Sequence, residues 1–368
     1  MKKLLLALLG GLSVTCFAET FPSFSAGVPH NQNESKFVEV YAHRGARSFS
    51  PENVIPGYKT GLAIGTNWVD MDIGVSKDGE IIVSHDIWLN PDIVQKDGKF
   101  LADSRSQMYK QLESSPQGLD VAVAPYLLKN MTTKQIQQYD VGSLNPKSPY
   151  AQYFPMQLAV PNTPMPTLAE VVKYVHATAG KNVKFQIEIK NDPIHPDWTL
   201  SPSEFASKLN TFIVKNKLVN DVEIQSFDWE PLYELHKLNP KIKLAFLVGY
   251  DDIERMQSTD AKQAGLWSGG KLLKDYNNSI PQMVKALGGS CYEPEDVSLT
   301  KEDLDDAHKL GLKVVVWTWS EHSGGAFNYQ TVDKLINWGV DGIITDDPAT
   351  LNAMLAARNM PIPKAYNK

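Results

Sequence analysis

The chain has 368 residues, which is long enough for one large α/β domain or two ordinary ones. Hydrophobic residues make up 42% of it and charged residues 21%, and this composition excludes disorder over the whole chain. A formal net charge of −6, without clustered basic residues, argues against nucleic acid as the main partner.

Residues 1–18 predict a cleaved signal peptide. Two lysines near the start precede an apolar stretch, Leu4–Val14, that is too short to span a bilayer. Ala18 is the small residue that a signal peptidase prefers before its cut. Lipid attachment to Cys16 is the alternative, although no Leu stands three positions before it. No later apolar run approaches the length of a membrane span, so we expect no stable membrane insertion.

Cleavage would take the formal charge to −8 and leave Cys291 as the sole cysteine. One cysteine cannot form an intramolecular disulfide, so the core must hold the fold even in an oxidising compartment. A short signal on a chain without structural disulfides favours a Gram-negative periplasm, and we expect a periplasmic or secreted protein. Residues 19–36, with several Pro, Asn and Ser, predict a flexible leader, and residues 37–368 predict the folded domain.

From Val38 onward, eight short runs rich in β-branched and aromatic residues alternate with helical stretches. Helix starts are readable, as where Thr167 precedes Glu170. Strand–helix alternation predicts a mostly parallel sheet, and eight repeats predict an α/β fold of the TIM-like (β/α)8 barrel type. The predicted strands are Val38–Ala42, Trp68–Ile73, Lys184–Lys190, Val222–Phe227, Lys243–Val248, Gly289–Tyr292, Lys313–Trp319 and Gly342–Thr345.

Two features interrupt the repeat after the second strand. Residues 80–85 follow the turn signal at 77–79, which predicts a hairpin. Residues 87–166 carry many Pro, Asn, Gln and Tyr and no strong periodicity. A stretch of this length inside a barrel is usually a functional segment over the mouth. We therefore predict a cap insertion over residues 87–166 that is not an independent domain.

Polar residues concentrate at the ends of the first three strands. Residues two apart on a strand point the same way, and catalytic groups of barrels gather at the carboxyl-terminal strand ends. Buried carboxylates are costly unless they are paired or bound to a cation. A solvated strand edge, or a structural ion pair of Glu188 with Lys190, is the alternative interpretation. The residues that these rules bring to one opening are His43, Arg44, Asp70, Asp72, His85, Gln186, Glu188 and Lys190.

These residue types suit the cleavage of a phosphodiester. Asp70, Asp72 and Glu188 predict an oxygen-rich site for one divalent cation, Ca²⁺ or Mg²⁺. His43 and His85 are candidates for the general acid and base near neutral pH. A cation that polarises a phosphoryl oxygen, placed between a general acid and a general base, can cleave a phosphodiester.

Arg44 and Lys190 would supply positive charge for the phosphate oxygens. No Gly-rich phosphate loop and no paired Cys-x-x-Cys appears, so nucleotide cofactors and structural zinc lack support. The remaining histidines are interpreted as structural or solvent-facing. They are His30, His176, His195, His236, His308 and His322.

A series of short motifs keeps its order from residue 41 to 348. The motifs are Ala42-His43-Arg44-Gly45-Ala46, Pro51-Glu52-Asn53, Lys77-Asp78-Gly79, His85-Asp86, Glu188-Ile189-Lys190, Gln225-Ser226-Phe227, Val316-Trp317-Thr318 and Gly342-Ile343-Ile344-Thr345-Asp346. Jointly they resemble the signature of the glycerophosphodiester phosphodiesterase family, and the long insertion is similar to that of its periplasmic members.

The resemblance implies hydrolysis of small glycerophosphodiesters to glycerol 3-phosphate and an alcohol. It also implies that the substrate's own glycerol hydroxyl attacks phosphorus, which gives a cyclic phosphate that water then opens. The positions matched are those of the acid and base (His43, His85), the metal ligands (Asp70, Asp72, Glu188), the phosphate contacts (Arg44, Lys190) and a residue packing on glycerol (Trp317).

The chain departs from the family pattern at several places. Asp70 stands where the family usually has Glu, and the lost methylene matters because metal–ligand distances are held to about ±0.2 Å. Trp317-Thr318-Trp319-Ser320 replaces Trp-Thr-x-Asn, and Cys291-Tyr292-Glu293-Pro294 replaces Pro-x-Tyr. Because of these departures, the resemblance does not determine which metal the chain prefers or which alcohol leaves.

Two alternatives follow from these departures. Trp317 and Trp319 together could wall a lipid chain, which would suit a lysophospholipase D-like phosphodiesterase. Asp70 and the altered strand ends would suit a catalytically lapsed barrel that acts as a binding protein.

Overall fold

The computed structural model describes residues 37–318 and 327–367. Eight parallel strands close into a barrel, because the first strand pairs with both the last and the second. The predicted (β/α)8 barrel is therefore confirmed. The eight barrel strands are β1 (Glu39–Ala42), β2 (Trp68–Val75), β6 (Lys184–Ile189), β7 (Val222–Ser226), β8 (Lys243–Val248), β9 (Cys291–Pro294), β10 (Lys313–Trp317) and β11 (Gly342–Thr345). Three further strands are antiparallel: β3 (Ile81–Val83) pairs with β2, and β4 (Gln95–Lys96) pairs with β5 (Lys99–Phe100).

Helices cover the outside of the barrel and build part of the insertion. The α-helices are α1 (Ile55–Ile64), α2 (Arg105–Glu113), α3 (Leu119–Val123), α4 (Thr133–Ile136), α5 (Leu168–Ala179), α6 (Pro202–Lys215), α7 (Glu230–Leu238), α8 (Tyr250–Met256), α9 (Ala261–Gly265), α10 (Ile280–Ala286), α11 (Lys301–Lys309), α12 (Tyr329–Trp338) and α13 (Pro348–Ala357). Short 3-10 turns are formed by His43–Gly45, Ala124–Tyr126, Leu128–Asn130, Pro149–Tyr153, Pro196–Trp198 and Leu273–Tyr276.

Local sequence explains where several of these elements begin. At the start of α5, the Thr167 side chain accepts from the Glu170 N–H and the Glu170 carboxylate accepts from the Thr167 N–H, which confirms the predicted capping box. Asp347 caps α13 by accepting from the backbone N–H of Thr350, and Pro348 occupies the first helical position. None of the helices within the described ranges is both long and apolar enough to cross a membrane.

The sixth predicted strand begins too early. Gly288, with φ of 88°, and Gly289, whose N–H donates to the Val284 carbonyl at 2.9 Å, close helix α10 instead. Strand β9 therefore starts at Cys291 and reaches Pro294, which brings Glu293 into the barrel wall. The predicted hairpin is correct, since β3 runs antiparallel to the end of β2 and pairs Val83 with Ile73.

The insertion packs partly around an apolar cluster of its own, in which Trp88, Met108, Val123 and Leu127 meet Trp198 of the loop after β6, and partly against the barrel. Leu89, Ile136 and Val141 from the insertion form one apolar cluster with Val54 and Ile82 from the barrel. The barrel lumen is closed below the mouth by a separate apolar cluster. Its buried members are Tyr41, Trp68, Ala245, Cys291, Val315 and Ile344.

Candidate active site

A tight turn at the end of β1 carries the first site residues. Arg44 lies at φ 51° and Gly45 at φ 99°, both in the left-handed region. A Cβ on Gly45 would lie 2.6 Å from the backbone carbonyl carbon of Gly57 in α1, so this position requires glycine. The turn lets His43 and Arg44 face the barrel mouth while the chain continues into α1.

Strand register brings the predicted acidic residues together. Asp70 lies opposite Gln186, and Asp72 lies opposite Glu188, where β2 pairs with β6. The hairpin then returns His85 to the same place, because the Ser84 N–H donates to the Asp72 carbonyl at 2.9 Å.

Eight residues were matched to functional positions of the family, and six of them line one cavity of about 310 Å³ at the mouth, which we call the central cavity. Asp72 is fully buried beneath it, and Lys190 lines the adjoining cavity. Trp319, which the sequence had associated with Trp317, lies outside the described residues. The six lining residues are His43, Arg44, Asp70, His85, Glu188 and Trp317.

His43 is held by a carboxylate from the last barrel strand. Its Nδ1 lies 2.6 Å from Asp346 Oδ1, and Arg47 donates to both oxygens of Asp346, at 2.9 and 2.8 Å. Burial raises the pKa of Asp346, but Arg47 and His43 outweigh it and hold that pKa far below its usual range. The ionised carboxylate fixes the imidazole so that Nε2 is directed away from it, and Arg44 Nε donates to that Nε2 at 3.2 Å.

His85 lies in a different electrostatic setting. Its Nδ1 is 3.3 Å from Asp86 Oδ2, and Asp86 also pairs with Arg105 at 2.8 Å. Burial, together with the positive charges of Arg44 and Lys190, lowers the pKa of His85 to about 4. The ring is therefore neutral near pH 7 in the free protein, and one nitrogen can accept a proton.

The three predicted metal ligands differ in how well the protein neutralises them. Asp72 pairs with Arg44 Nε at 3.2 Å and Lys190 Nζ at 3.7 Å; although burial raises its pKa, these cations hold the pKa well below normal. Burial raises the pKa of Asp70 to about 6, and that of Glu188 to about 8 despite a 2.7 Å contact with Lys190. The oxygens of these three carboxylates are of the type that a hard divalent cation takes, although the structure does not bring all three within 4.8 Å of one another.

A second acidic group lies deeper in the lumen and was not predicted. Ligand atoms of Glu223, Cys291 and Glu293 lie within 4.8 Å of one another, and all three residues are buried. Gln186 Nε2 donates to Glu293 Oε1. Glu223 stands two residues before Gln225 on an inward-facing strand, which is the signal that could have revealed it.

The sequence also did not predict a hydrogen-bond network beside the turn formed by His43–Gly45. Arg44 Nη1 donates to Glu52 at 3.0 Å, and Tyr150 of the insertion lies between Glu52 and Arg47, donating to the first and accepting from the second at 2.7 Å. Glu52 belongs to the Pro51-Glu52-Asn53 motif, but no sequence pattern links it to Tyr150. The insertion thus contributes a side chain to the central cavity.

Comparisons with known proteins show the family to which the chain belongs. The chain matches the glycerophosphoryl diester phosphodiesterase family over residues 43–350. It is 24% identical over 323 residues to the glycerophosphodiester phosphodiesterase of Bacillus subtilis, and the aligned region covers 84% of each of the two chains.

Solved structures share the fold. A protein of Silicibacter pomeroyi has a TM-score of 0.71 at 23% identity, with 89% of this chain and 96% of that chain covered. A phosphodiesterase of Oleispira antarctica, solved with its product sn-glycerol-3-phosphate, has a TM-score of 0.58 at 18% identity and covers 87% and 97% of the two chains. Because the family match spans most of the sequence and includes the mouth of the barrel, the chain belongs to the glycerophosphoryl diester phosphodiesterase family.

Proposed function

We propose that the protein hydrolyses glycerophosphodiesters to glycerol 3-phosphate and an alcohol. The observation that carries this proposal is the convergence of His43, His85, Asp70 and Glu188 on one cavity of the family's barrel. The sn-glycerol-3-phosphate in the related Oleispira antarctica structure supports the same product for this chain.

The acidic residues would hold the cation that the family implies. Asp70, Asp72 and Glu188 would bind one divalent cation, Ca²⁺ or Mg²⁺, which would supply positive charge at the phosphoryl oxygens. Gln225 Nε2 donates to Asp70 at 2.6 Å and the Arg44 N–H donates to it at 3.2 Å, so the shorter Asp side chain is oriented from two sides. Such hydrogen bonds to a ligand carboxylate fix its direction.

The chain's own residues perform the proton transfers. One of the two imidazoles, His43 or His85, takes the proton of the attacking hydroxyl, and the other gives a proton to the departing alcohol oxygen. Asp346 holds Nδ1 of His43 and so orients its Nε2, and the anionic phosphodiester would favour the protonated form of His85. Arg44 and Lys190, each already paired with carboxylates, orient the phosphate oxygens.

Trp317 would form the wall for glycerol. Its side chain is half-buried, packs edge-on against Phe227 with ring centroids 5.5 Å apart, and donates from Nε1 to the Glu293 carbonyl at 3.2 Å. An anchored aromatic ring offers apolar contact to the carbon side of glycerol without losing its own orientation.

The decisive assay follows glycerol 3-phosphate released from glycerophosphocholine with Ca²⁺ or Mg²⁺ added. We expect His43→Ala and His85→Ala each to lower kcat by on the order of 10²-fold or more, and a chelator to abolish turnover. His308→Ala is the matched control, because His308 pairs with Asp341 on the surface, outside the central cavity.

Three outcomes would contradict this assignment. Near-normal rates in either histidine variant would mean that other residues catalyse the reaction. A strong preference for lysophosphatidylcholine would support the lysophospholipase D-like alternative. No release of glycerol 3-phosphate from any headgroup diester with either cation would support the lapsed, binding-only barrel.

We also propose that the protein acts in the periplasm or outside the cell. The support is the sequence of residues 1–18, which lie outside the described residues. N-terminal sequencing of the protein exported by a Gram-negative host should begin at Glu19. A chain that keeps Met1 and stays in the cytoplasmic fraction would refute this proposal.

A further inference from the structure

A second cavity, of about 420 Å³, adjoins the central cavity at the barrel mouth. The two cavities share His85, Glu188 and Phe227 in their walls. The second cavity does not include Trp317, so it extends away from the proposed glycerol wall. If glycerol and phosphate occupy the central cavity, as the proposed function requires, the alcohol of the diester has this second space beside it.

Three chain segments build the far wall of the second cavity. The loop after β6 supplies Asp192 and His195, the segment after β8 supplies Asp252 and Arg255, and α2 of the insertion supplies Tyr109. The sequence interpreted His195 as structural or solvent-facing, and its side chain is 24% exposed at this wall.

The charged groups of this wall are paired with one another. Asp192 contacts His195 Nδ1 at 2.9 Å, and Asp252 is bound by Arg255. Nearer the centre, Asp86 pairs with Arg105 at 2.8 Å. Asp86 and Asp252 each have an arginine partner, and Asp192 has a hydrogen bond with His195, so none of these three carboxylates is left without a partner for a cationic headgroup to satisfy.

Two aromatic rings of this wall, those of Trp198 and Trp267, already have partners. The His195 ring stacks on Trp198 with centroids 4.2 Å apart and an interplanar angle of 18°, and Trp198 is only 4% exposed. The Arg255 guanidinium lies 5.4 Å from the centre of the Trp267 ring. A quaternary ammonium is recognised by open aromatic faces, and these two rings already have a partner on one face each.

The same ion pairs can recognise hydroxyl groups. Each pair presents N–H donors beside carboxylate oxygens, and the side chains remain partly open, with Asp192 26% and Arg255 33% exposed. A hydroxyl group both donates and accepts, so adjacent hydroxyls on one carbon skeleton match such paired groups. Choline and ethanolamine offer no such series of hydroxyls.

We propose that the second cavity binds the alcohol part of the substrate and selects polyhydroxylated headgroups, such as glycerol or inositol, over cationic ones. This inference rests on the proposed function. It assigns Asp192, His195 and Arg255 to headgroup recognition, apart from the residues that cleave the ester.

The test compares kcat/KM of the wild-type protein on four diesters with the same glycerol phosphate. We expect glycerophosphoinositol and glycerophosphoglycerol to exceed glycerophosphocholine and glycerophosphoethanolamine by about tenfold or more, as two or so hydroxyl contacts would give. Equal values, or a preference for choline, would overturn the inference but leave the proposed function intact. No hydrolysis of any of the four would overturn the proposed function and the inference with it.

Variants then locate the preference. Arg255→Met and Asp192→Asn should each raise KM for the inositol diester and lower the inositol-to-choline ratio of kcat/KM several-fold. Arg358→Met is the matched control, because Arg358 pairs with Asp333 outside both cavities. If the control lowers the ratio as much as Arg255→Met does, the second cavity is not the source of selectivity.

Discussion

At the scale of single residues, the position of the His43 ring depends on a residue 303 positions away. Asp346 binds His43 Nδ1 and is itself held by two donors of Arg47. A carboxylate in this relation to a histidine selects the tautomer and stabilises the imidazolium, whereas an amide of the same shape does neither. Asp346 is therefore a positioning residue for His43 rather than a group that touches the substrate.

Asp346→Asn should lower kcat by on the order of 10²- to 10⁴-fold, because the amide can donate to Nδ1 and select the wrong tautomer. The pH profile of kcat should shift with it, which a merely structural role would not produce. Asp347→Asn is the matched control, since asparagine also caps a helix well at this position. An Asp346→Asn protein that folds normally and keeps the wild-type kcat and pH profile would contradict the assignment.

The same residues show how far sequence could predict the site. His43 directly follows β1 and Glu188 is the penultimate residue of β6, and strand ends are readable from local patterns. The pairing of Arg47 with Asp346 became visible only in the structure, because an ion pair between residues 299 positions apart has no local signal. Which carboxylate has a raised pKa could not be predicted either, since the pKa of Glu188 depends on burial and on the distances to its neighbours.

At the scale of elements, the turn between β1 and α1 shows why local conformation matters to the site. Gly45 and Gly57 bring the turn and the helix into backbone contact, and the contact fixes the direction in which His43 and Arg44 leave the strand. Most strands were predictable because each is a short apolar run bounded by turn residues. The elements of the insertion were not, because helices as short as Thr133–Ile136 carry too few residues to show a period.

Gly45→Ala should destabilise the protein by about 2–4 kcal/mol, because the methyl group meets the Gly57 backbone at a positive φ. Gly311→Ala separates the two causes. Gly311, just after α11, also has a positive φ, 70°, but nothing lies within 4 Å of its added Cβ, so only about 1 kcal/mol is expected. Urea unfolding measures both free energies, and equal losses in the two variants would show that the backbone contact is unimportant.

At the scale of the whole molecule, acidic side chains lie in two places in the barrel lumen. The upper one, with Asp70 and Glu188, opens to the central cavity, and its carboxylates are available to a cation. The lower one, with Glu223 and Glu293, is closed off from solvent, and Glu223 Oε1 and Glu293 Oε2 have no hydrogen-bond partner among the described residues. Burial is the largest cause that raises the pKa of both lower glutamates, and the pKa of Glu293 lies well above its usual value.

This lower group should make stability fall as the pH rises. A carboxyl with a raised pKa in the folded state favours folding most below its unfolded pKa, and that contribution is lost as the pH rises through the folded value. Glu293→Gln keeps the hydrogen-bonding shape but cannot ionise. The variant should therefore gain melting temperature relative to wild type as the pH increases from 5 to 9, and Glu302→Gln, on the exposed surface of α11, should show no such trend. A difference in melting temperature between Glu293→Gln and wild type that stays constant over this range would mean that Glu293 does not titrate there. Its charge would then contribute nothing to the pH dependence of the stability of the barrel.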